Sequence, residues 1–129
     1  MRMSYFYGTQ ADQFSFIRIP KELVVGEAFS SLSVQAKILY GMLLDRMGMS
    51  YKNKWLDEEN RVYIVYSLDE IQSDMNVSKH KAVDCLAELE NVGLIVKRKR
   101  GKGLPNQIYV RNFSIALLRC RSANFALHE

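Results

Sequence analysis

The chain has 129 residues, of which 48% are hydrophobic and 25% charged, and its formal net charge is +4. This length corresponds to about one domain, and the apolar fraction is large enough for a core that needs no disulfide or metal. The apolar runs are far shorter than the roughly 20 residues of a membrane span, and no secretory leader accompanies the two cysteines. These features favour a cytoplasmic protein with reduced thiols and no membrane partner.

The N-terminal part predicts an arm, a short strand and a helix. Residues 1–13 are polar apart from three adjacent aromatics at 5–7, and they form either a floppy terminus or an arm that packs on a partner chain. The apolar alternation of residues 14–19 predicts a strand that ends at Pro20. Pro20 suits the first turn of a helix that continues to Phe29.

A stronger helix is predicted from Ser33, its N-cap, to about Met47, just before Gly48. Its apolar residues cover well over half of the helix circumference, whereas a surface helix shows a stripe a little wider than 100°. The helix is therefore either central in the fold, which we favour, or partly buried by a second subunit.

A polar connection, KNKWLDEENR, follows, and the β-branched and aromatic residues at 61–66 then predict a strand. Ser67 and Glu70 have the spacing of a capping box, in which each side chain satisfies the other's free backbone N–H. This pair begins a short helix, which Asn76 ends.

A second short helix begins at Ser78 and ends before Gly93, a residue suited to the left-handed position after a helix. The segments LIVKRKR and QIYVRNF then flank the turn-rich GKGLPN, which predicts a β-hairpin. Two capped helices and a hairpin predict an α+β fold, a winged helix-turn-helix with a three-helix core and a β-hairpin wing. This domain covers residues 14–113, and residues 114–129 form a tail or the start of a missing second domain.

The hairpin contains the surplus positive charge of the chain. It has six basic residues and no acid, whereas the net charge of the whole chain is +4, so the other residues together are slightly acidic. Such a run is usually a solvated hairpin tip, but directly after a helix-turn-helix it favours phosphate contacts, which displace condensed counterions. The basic residues are Lys97, Arg98, Lys99, Arg100, Lys102 and Arg111.

The helix that begins at Ser78 carries the predicted base contacts. With its apolar side towards the core, His80 and Asp84 point the opposite way at 100° per residue. Lys79 and Lys81 flank that face, within reach of phosphates or guanine edges. Asp84 would repel phosphates unless it accepts a hydrogen bond from a cytosine amino group, and an ordinary solvent-facing acid is the equal alternative.

The sequence offers no pattern for an enzyme, a cofactor or a metal site. GKGLPN has glycines but not the spacing of a phosphate-binding loop. His80 and Cys85 are five residues apart and cannot share an ion on one helix, and Cys120 and His128 lack ligand spacing. We therefore expect neither catalysis nor a bound cofactor.

Four segments carry a family resemblance: FIRIPKELV, LSVQAKILYGMLLDRM, KNKWLDEENRVYIVYSLDEI and SKHKAVDCLAELENVGLIVKRKRGKGLPNQIYVRNF. Over residues 16–113 the chain resembles the N-terminal domain of the RepA_N family of plasmid replication initiators. The resemblance implies a winged helix that binds repeated double-stranded DNA sites at a plasmid origin, commonly as a homodimer.

By the same resemblance Lys79, His80 and Lys81 lie on the recognition helix, and residues 97–102, Asn106 and Arg111 on the wing. Family members usually carry a further C-terminal domain, so the chain is either an isolated DNA-binding module or a short relative.

Two other functions fit the predicted fold. One is a transcriptional regulator, which would bind upstream of unrelated promoters rather than clustered repeats. The other is a protein–protein module in a replication or partition complex with host replication proteins. Its interface would be the wide apolar arc of the helix at 33–47 together with the aromatics at 5–7.

Overall fold

The computed structural model of the protein describes residues 3–9, 14–101 and 103–112. Lys102, Phe113 and the tail at 114–129, for which the sequence made predictions, lie outside this part. Residues 1–2 and 10–13 of the predicted arm also lie outside it. In chain order the elements are α1 (Lys21–Val25), a 3-10 turn (Glu27–Phe29), α2 (Val34–Lys52), β1 (Ile64–Val65), α3 (Leu68–Met75), α4 (Lys79–Asn91), β2 (Ile95–Arg98) and β3 (Gln107–Val110). The predicted helix-turn-helix and the hairpin after it are confirmed.

The segment before α1 is not a strand, so the prediction from its alternating residues is wrong. Residues 14–20 pair with no strand in the described part of the chain. Residues 17–19 lie against α2, where a Cβ atom added to Gly41 would come within 2.8 Å of Ile19 Cγ1. The helix predicted up to Phe29 is also interrupted, because Gly26 has an extended backbone between α1 and the 3-10 turn.

Helix α2 begins as predicted and ends later. The Ser33 hydroxyl accepts a hydrogen bond from the Ala36 N–H at 3.2 Å. The predicted end before Gly48 is wrong, since α2 continues to Lys52. A glycine costs about 1 kcal/mol in a helix interior, and tertiary packing offsets this cost, because Ser50 in the last turn is buried. Helix α2 packs against α4, β1 and β3 within one chain, so it is the central helix.

The three strands form an antiparallel sheet in the order β1-β3-β2. The strand predicted over residues 61–66 contributes only β1, because Val62 instead forms a single bridge with Leu56 in the preceding loop. Strands β2 and β3 pair from Ile95 and Val110 to Arg98 and Gln107, and they form the wing.

Local capping sets the helix-turn-helix. The Ser67 hydroxyl accepts from the Glu70 N–H at 3.1 Å, and the Glu70 carboxylate accepts from the Ser67 N–H at 3.3 Å, which confirms the capping box. Asn76 ends α3 in the left-handed conformation with φ 55°, a region that asparagine tolerates. Ser78 then caps α4 by accepting from the Lys81 N–H at 3.1 Å.

The core lies between α2, α3, α4 and the inner face of the sheet. The apolar side of α4 is buried as predicted, with Ala82, Cys85, Leu86 and Leu89. Among the described residues, no helix combines the length and apolarity needed to cross a bilayer. The core fixes α4 and the wing beside each other on one side of the domain.

Candidate nucleic-acid interface

Helix α4 presents an open face at its N-terminal end. The Ser78 hydroxyl is engaged as the cap of the helix, so it fixes the direction of the first turn. The His80 side chain is 89% exposed. Lys79 is exposed and Lys81 is half-buried. The predicted contact residues of this helix are therefore accessible to a ligand that approaches its first two turns.

Asp84 has a partner on its own helix. Its Oδ2 lies 3.4 Å from His80 Nε2, one helical turn earlier. This contact engages Nε2 and leaves Nδ1 of the imidazole for another group. It also places the Asp84 carboxylate, which would otherwise repel a phosphate backbone, next to the imidazole.

A groove of about 410 Å³ separates α4 from the wing. Three of the predicted contact residues line it together: Lys79 from α4, Lys97 from β2 and Asn106 from the wing turn. Leu104 and Pro105, at the tip of the wing, complete the wall opposite α4. The structure thus brings residues from α4, β2 and the wing turn to one groove.

Two of the wing cations are engaged within the protein. Lys97 Nζ lies 3.6 Å from Glu90 Oε1 on α4, and Arg98 Nη1 lies 3.5 Å from Glu58 Oε1 in the loop before β1. The exposed Lys99 has no carboxylate partner in the described part of the chain. The free positive charge of the wing is therefore concentrated after the end of β2.

The wing turn holds Arg100 in place. Arg100 Nε donates a hydrogen bond to the Pro105 carbonyl at 3.0 Å across the turn. Its terminal nitrogens remain available for a bidentate contact with a phosphate. Gly101 and Gly103 have φ of 118° and 83°, so the turn depends on residues that adopt positive φ without strain.

Arg111 lies at the base of the wing and apart from the groove. Its N–H donates to the Leu94 carbonyl at 2.8 Å, and its carbonyl accepts from the Tyr40 hydroxyl at 2.9 Å. The Arg111 guanidinium is next to Gly93, the residue that follows α4. Its backbone therefore fastens the wing to α2, and its side chain is distant in the hairpin from Lys99 and Arg100.

A contact that the sequence did not predict fixes α4 against α2. The Glu88 carboxylate accepts from the Ser33 N–H at 2.7 Å and from the Ser33 hydroxyl at 2.8 Å. One glutamate thereby binds the N-cap residue of the central helix. The two residues are 55 positions apart, so no local pattern connects them.

A second unpredicted contact fixes the wing to the loop before β1. The Asp57 side chain is 2% exposed. It accepts from the Arg61 N–H at 2.8 Å, from Arg61 Nε at 2.8 Å, from the Glu59 N–H at 2.9 Å and from the Tyr109 hydroxyl at 3.1 Å. Because Tyr109 belongs to β3, Asp57 joins this loop to the centre of the sheet.

Burial alone would raise the pKa of Asp57, but the hydrogen bonds from Arg61, Glu59 and Tyr109 outweigh it and lower the pKa to about 2. A carboxylate with a lowered pKa in the folded state stabilises the fold above its unfolded pKa of 3.8 and loses that contribution as the pH falls towards 2. We expect Asp57→Asn to lower the urea midpoint at pH 7. Between about pH 4 and 2 the variant should lose less stability than the wild type, because it has no carboxylate to protonate at this position.

Urea unfolding followed by circular dichroism at a series of pH values measures this difference. Glu27→Gln removes an exposed carboxylate from the 3-10 turn and serves as the control. A wild type and an Asp57→Asn variant with parallel pH profiles would contradict the role given to Asp57.

Arg46 fixes α3, the first helix of the pair. Its guanidinium carbon lies 3.8 Å from the centre of the Tyr66 ring, and its Nη2 lies 2.7 Å from Glu70 Oε2. The Tyr66 hydroxyl donates to Asp74 Oδ2 at 2.6 Å, and burial together with this hydrogen bond raises the pKa of Tyr66. The orientation of α3, on which α4 rests, thus depends on contacts with α2 and with the residue after β1.

The arrangement of two capped helices and a basic wing agrees with a known family. The family described as Replication initiator protein A (RepA) N-terminus, RepA_N, matches residues 15–120 of the chain. The chain belongs to this family. The RepA_N match contains α4, the wing and the groove between them.

Solved structures similar to this RepA_N chain share its fold. One, "Structure of Rep-DNA complex", has 34% sequence identity and a TM-score of 0.70, with 84% of each chain covered. Another, "N-Terminal domain of DNA binding protein", has 33% identity and a TM-score of 0.70 over 86% of this chain and 85% of that one. A third, "Structure of MDR initiator", has 27% identity and a TM-score of 0.68 over 94% and 98%.

A curated relative is much longer than this RepA_N chain. It is a "41 kDa protein" of Lactobacillus helveticus, 26% identical over 114 residues, and the match covers 84% of this chain and 32% of the relative. The chain thus spans about a third of the length of that relative.

Among the described residues, no three His, Cys, Asp or Glu side chains are grouped as a metal site requires.

Proposed function

We propose that this chain binds double-stranded DNA at repeated sites of a plasmid replication origin and serves as the DNA-binding domain of a replication initiator. The observation that carries the proposal is the groove in which Lys79 of α4 meets Lys97 and Asn106 of the wing. Membership in RepA_N and the likeness to a protein described as a Rep–DNA complex support it.

In the proposed complex α4 enters the major groove and the wing lies on the flanking backbone. The α4 contacts are Ser78, Lys79, His80 and Lys81, and the wing contacts are Lys97, Arg98, Lys99, Arg100, Lys102, Asn106 and Arg111. Contacts with phosphates supply affinity and register, whereas contacts with base edges select the site. The cations of the wing are thus assigned to affinity, and His80 to selection.

We also propose that the domain covers residues 14–113, with residues 1–13 as an arm and 114–129 as a tail or the start of a second domain. The proposed protein acts in the cytoplasm, as a homodimer and without catalysis, with host replication proteins as further partners. The exposed aromatic rings of Tyr5, Phe6 and Tyr7 offer an apolar surface to a second copy.

Fluorescence anisotropy tests the proposed function. Duplexes that tile the protein's coding region and its upstream DNA are compared with a shuffled duplex of equal composition. We expect one repeated element to bind at least roughly a thousandfold more tightly than the shuffled duplex at near-physiological salt. Equal, weak and salt-sensitive binding to all duplexes would contradict origin recognition.

His80 provides a test of base selection. We expect His80→Ala to lower the affinity for the repeated element by about tenfold, the usual effect of one lost base contact, and to change the affinity for the shuffled duplex much less. Anisotropy with both duplexes measures the two effects in one titration series. Equal losses on both duplexes would assign His80 to the backbone instead.

A further inference from the structure

The polar face of α4 contains one large apolar side chain that the core does not use. Val83 is 44% exposed, while the other large apolar residues of α4, Leu86 and Leu89, are buried. A single exposed valine is ordinary on a protein surface. What distinguishes Val83 is its position, because it lies on the part of α4 that carries the proposed contacts.

Val83 lies beside the residues at the open end of the helix. At 100° per residue it is about 40° around α4 from Lys79 and about 60° from His80. It lines the groove to the wing together with Lys79, and Leu104 lines the same groove with 56% of its surface exposed. A duplex docked against α4 and the wing would cover Val83 with DNA.

The chemistry of the major groove contains one apolar group for such a side chain. Guanine, adenine and cytosine present hydrogen-bond donors and acceptors there, and thymine adds its C5-methyl group. A valine cannot hydrogen-bond a base edge, but it can bury a methyl group. Opposite cytosine, the same side chain would leave the polar amino group without a partner.

We propose that Val83 is a specificity-determining residue that contacts the C5-methyl group of a thymine in the bound site. This role rests on the proposed function and names the base group that α4 recognises. His80 and Asp84 supply the polar part of the same reading surface, and Val83 supplies its apolar part.

Uracil substitution tests the contact, because replacing thymine with uracil removes only the methyl group. The probe is the duplex from the coding region or its upstream DNA that binds the full chain most tightly; below it is called the tile. It is prepared once with thymine and once with uracil at every thymine position. We expect the wild type to bind the uracil duplex about fourfold more weakly, as expected for one methyl group that is no longer buried. Val83→Ala should bind the two duplexes within about twofold of each other.

Val24→Ala is the matched control, since it makes the same change at an exposed valine of α1. It should keep the wild-type response to uracil, and circular dichroism verifies that both variants are folded. An equal response to uracil in the wild type and in Val83→Ala, on a tile that the wild type still prefers to shuffled DNA, would overturn this inference alone. A wild type that prefers no tile would overturn the proposed function and this inference with it.

Discussion

Replacing Lys99 and Arg100 together by alanine is expected to weaken binding to every duplex by roughly 25-fold at about 0.15 M salt, or about fivefold for each lost phosphate contact. In the described part of the wing turn, neither Lys99 nor Arg100 has a carboxylate partner. Lys97 is paired with Glu90, and Arg98 with Glu58, whereas Arg100 is held by a backbone carbonyl that leaves its charge uncompensated.

The salt dependence identifies the cause of this loss. The slope of log affinity against log salt should decrease by about 1.8 for each bound copy of the chain, at about 0.9 per phosphate. The repeated element and the shuffled duplex should lose affinity to a similar extent. Lys21→Ala with Lys52→Ala, which removes two exposed lysines from α1 and α2, is the control. An unchanged slope in the wing variant would mean that the wing does not touch phosphates.

Leu89→Ala is expected to lower the free energy of unfolding by about 2–5 kcal/mol. Leu89 is completely buried in α4, where that helix faces the core. Truncation removes apolar contacts and leaves a cavity that the packed neighbours fill only in part. Since a domain is stable by about 5–15 kcal/mol, this single change removes a large fraction of the total.

Thermal unfolding followed by circular dichroism measures the effect, and a decrease in Tm of roughly 8–20 °C is expected. Val83→Ala, an exposed position in the same helix, is the matched control and should lower Tm by only a few degrees. Similar losses in both variants would show that α4 does not pack on the core through Leu89.

The parts of the fold that were predicted correctly are encoded locally. Ser67 and Glu70 are three residues apart and satisfy each other's backbone, and Ser33 and Ser78 cap the helices that follow them. The glycines of GKGLPN predict the hairpin turn. Each of these features depends on a few consecutive residues, so the sequence alone was sufficient to place them.

The errors arose where tertiary contacts overrode a local pattern. The alternation at residues 14–19 is typical of a strand, but residues 17–19 pack over Gly41, where the absent side chain leaves room for them on α2. Gly48 resembles a helix end, yet packing of the last turn carries α2 on to Lys52. Gly41 belongs to a different element from residues 17–19, so the local pattern could not reveal that contact.

The site was only partly predictable for the same reason. The basic residues of the wing were visible in the sequence, but their ion pairs with Glu58 and Glu90 were not, because those acids come from other elements. The same is true of Asp57, which secures Tyr109 through a hydrogen bond across 52 positions. The sequence therefore predicts which residues are charged, and the fold determines which of these charges are free.

The most direct test of the account is to locate the DNA on the chain by nuclear magnetic resonance. The ¹⁵N-labelled protein is titrated with the tile that it binds most tightly, and the amide shifts are mapped along the chain. We expect the largest changes at residues 78–84 and 98–106, where α4 and the wing meet. Large changes confined to α1 or to residues 49–55, with α4 and the wing unaffected, would contradict the proposed interface.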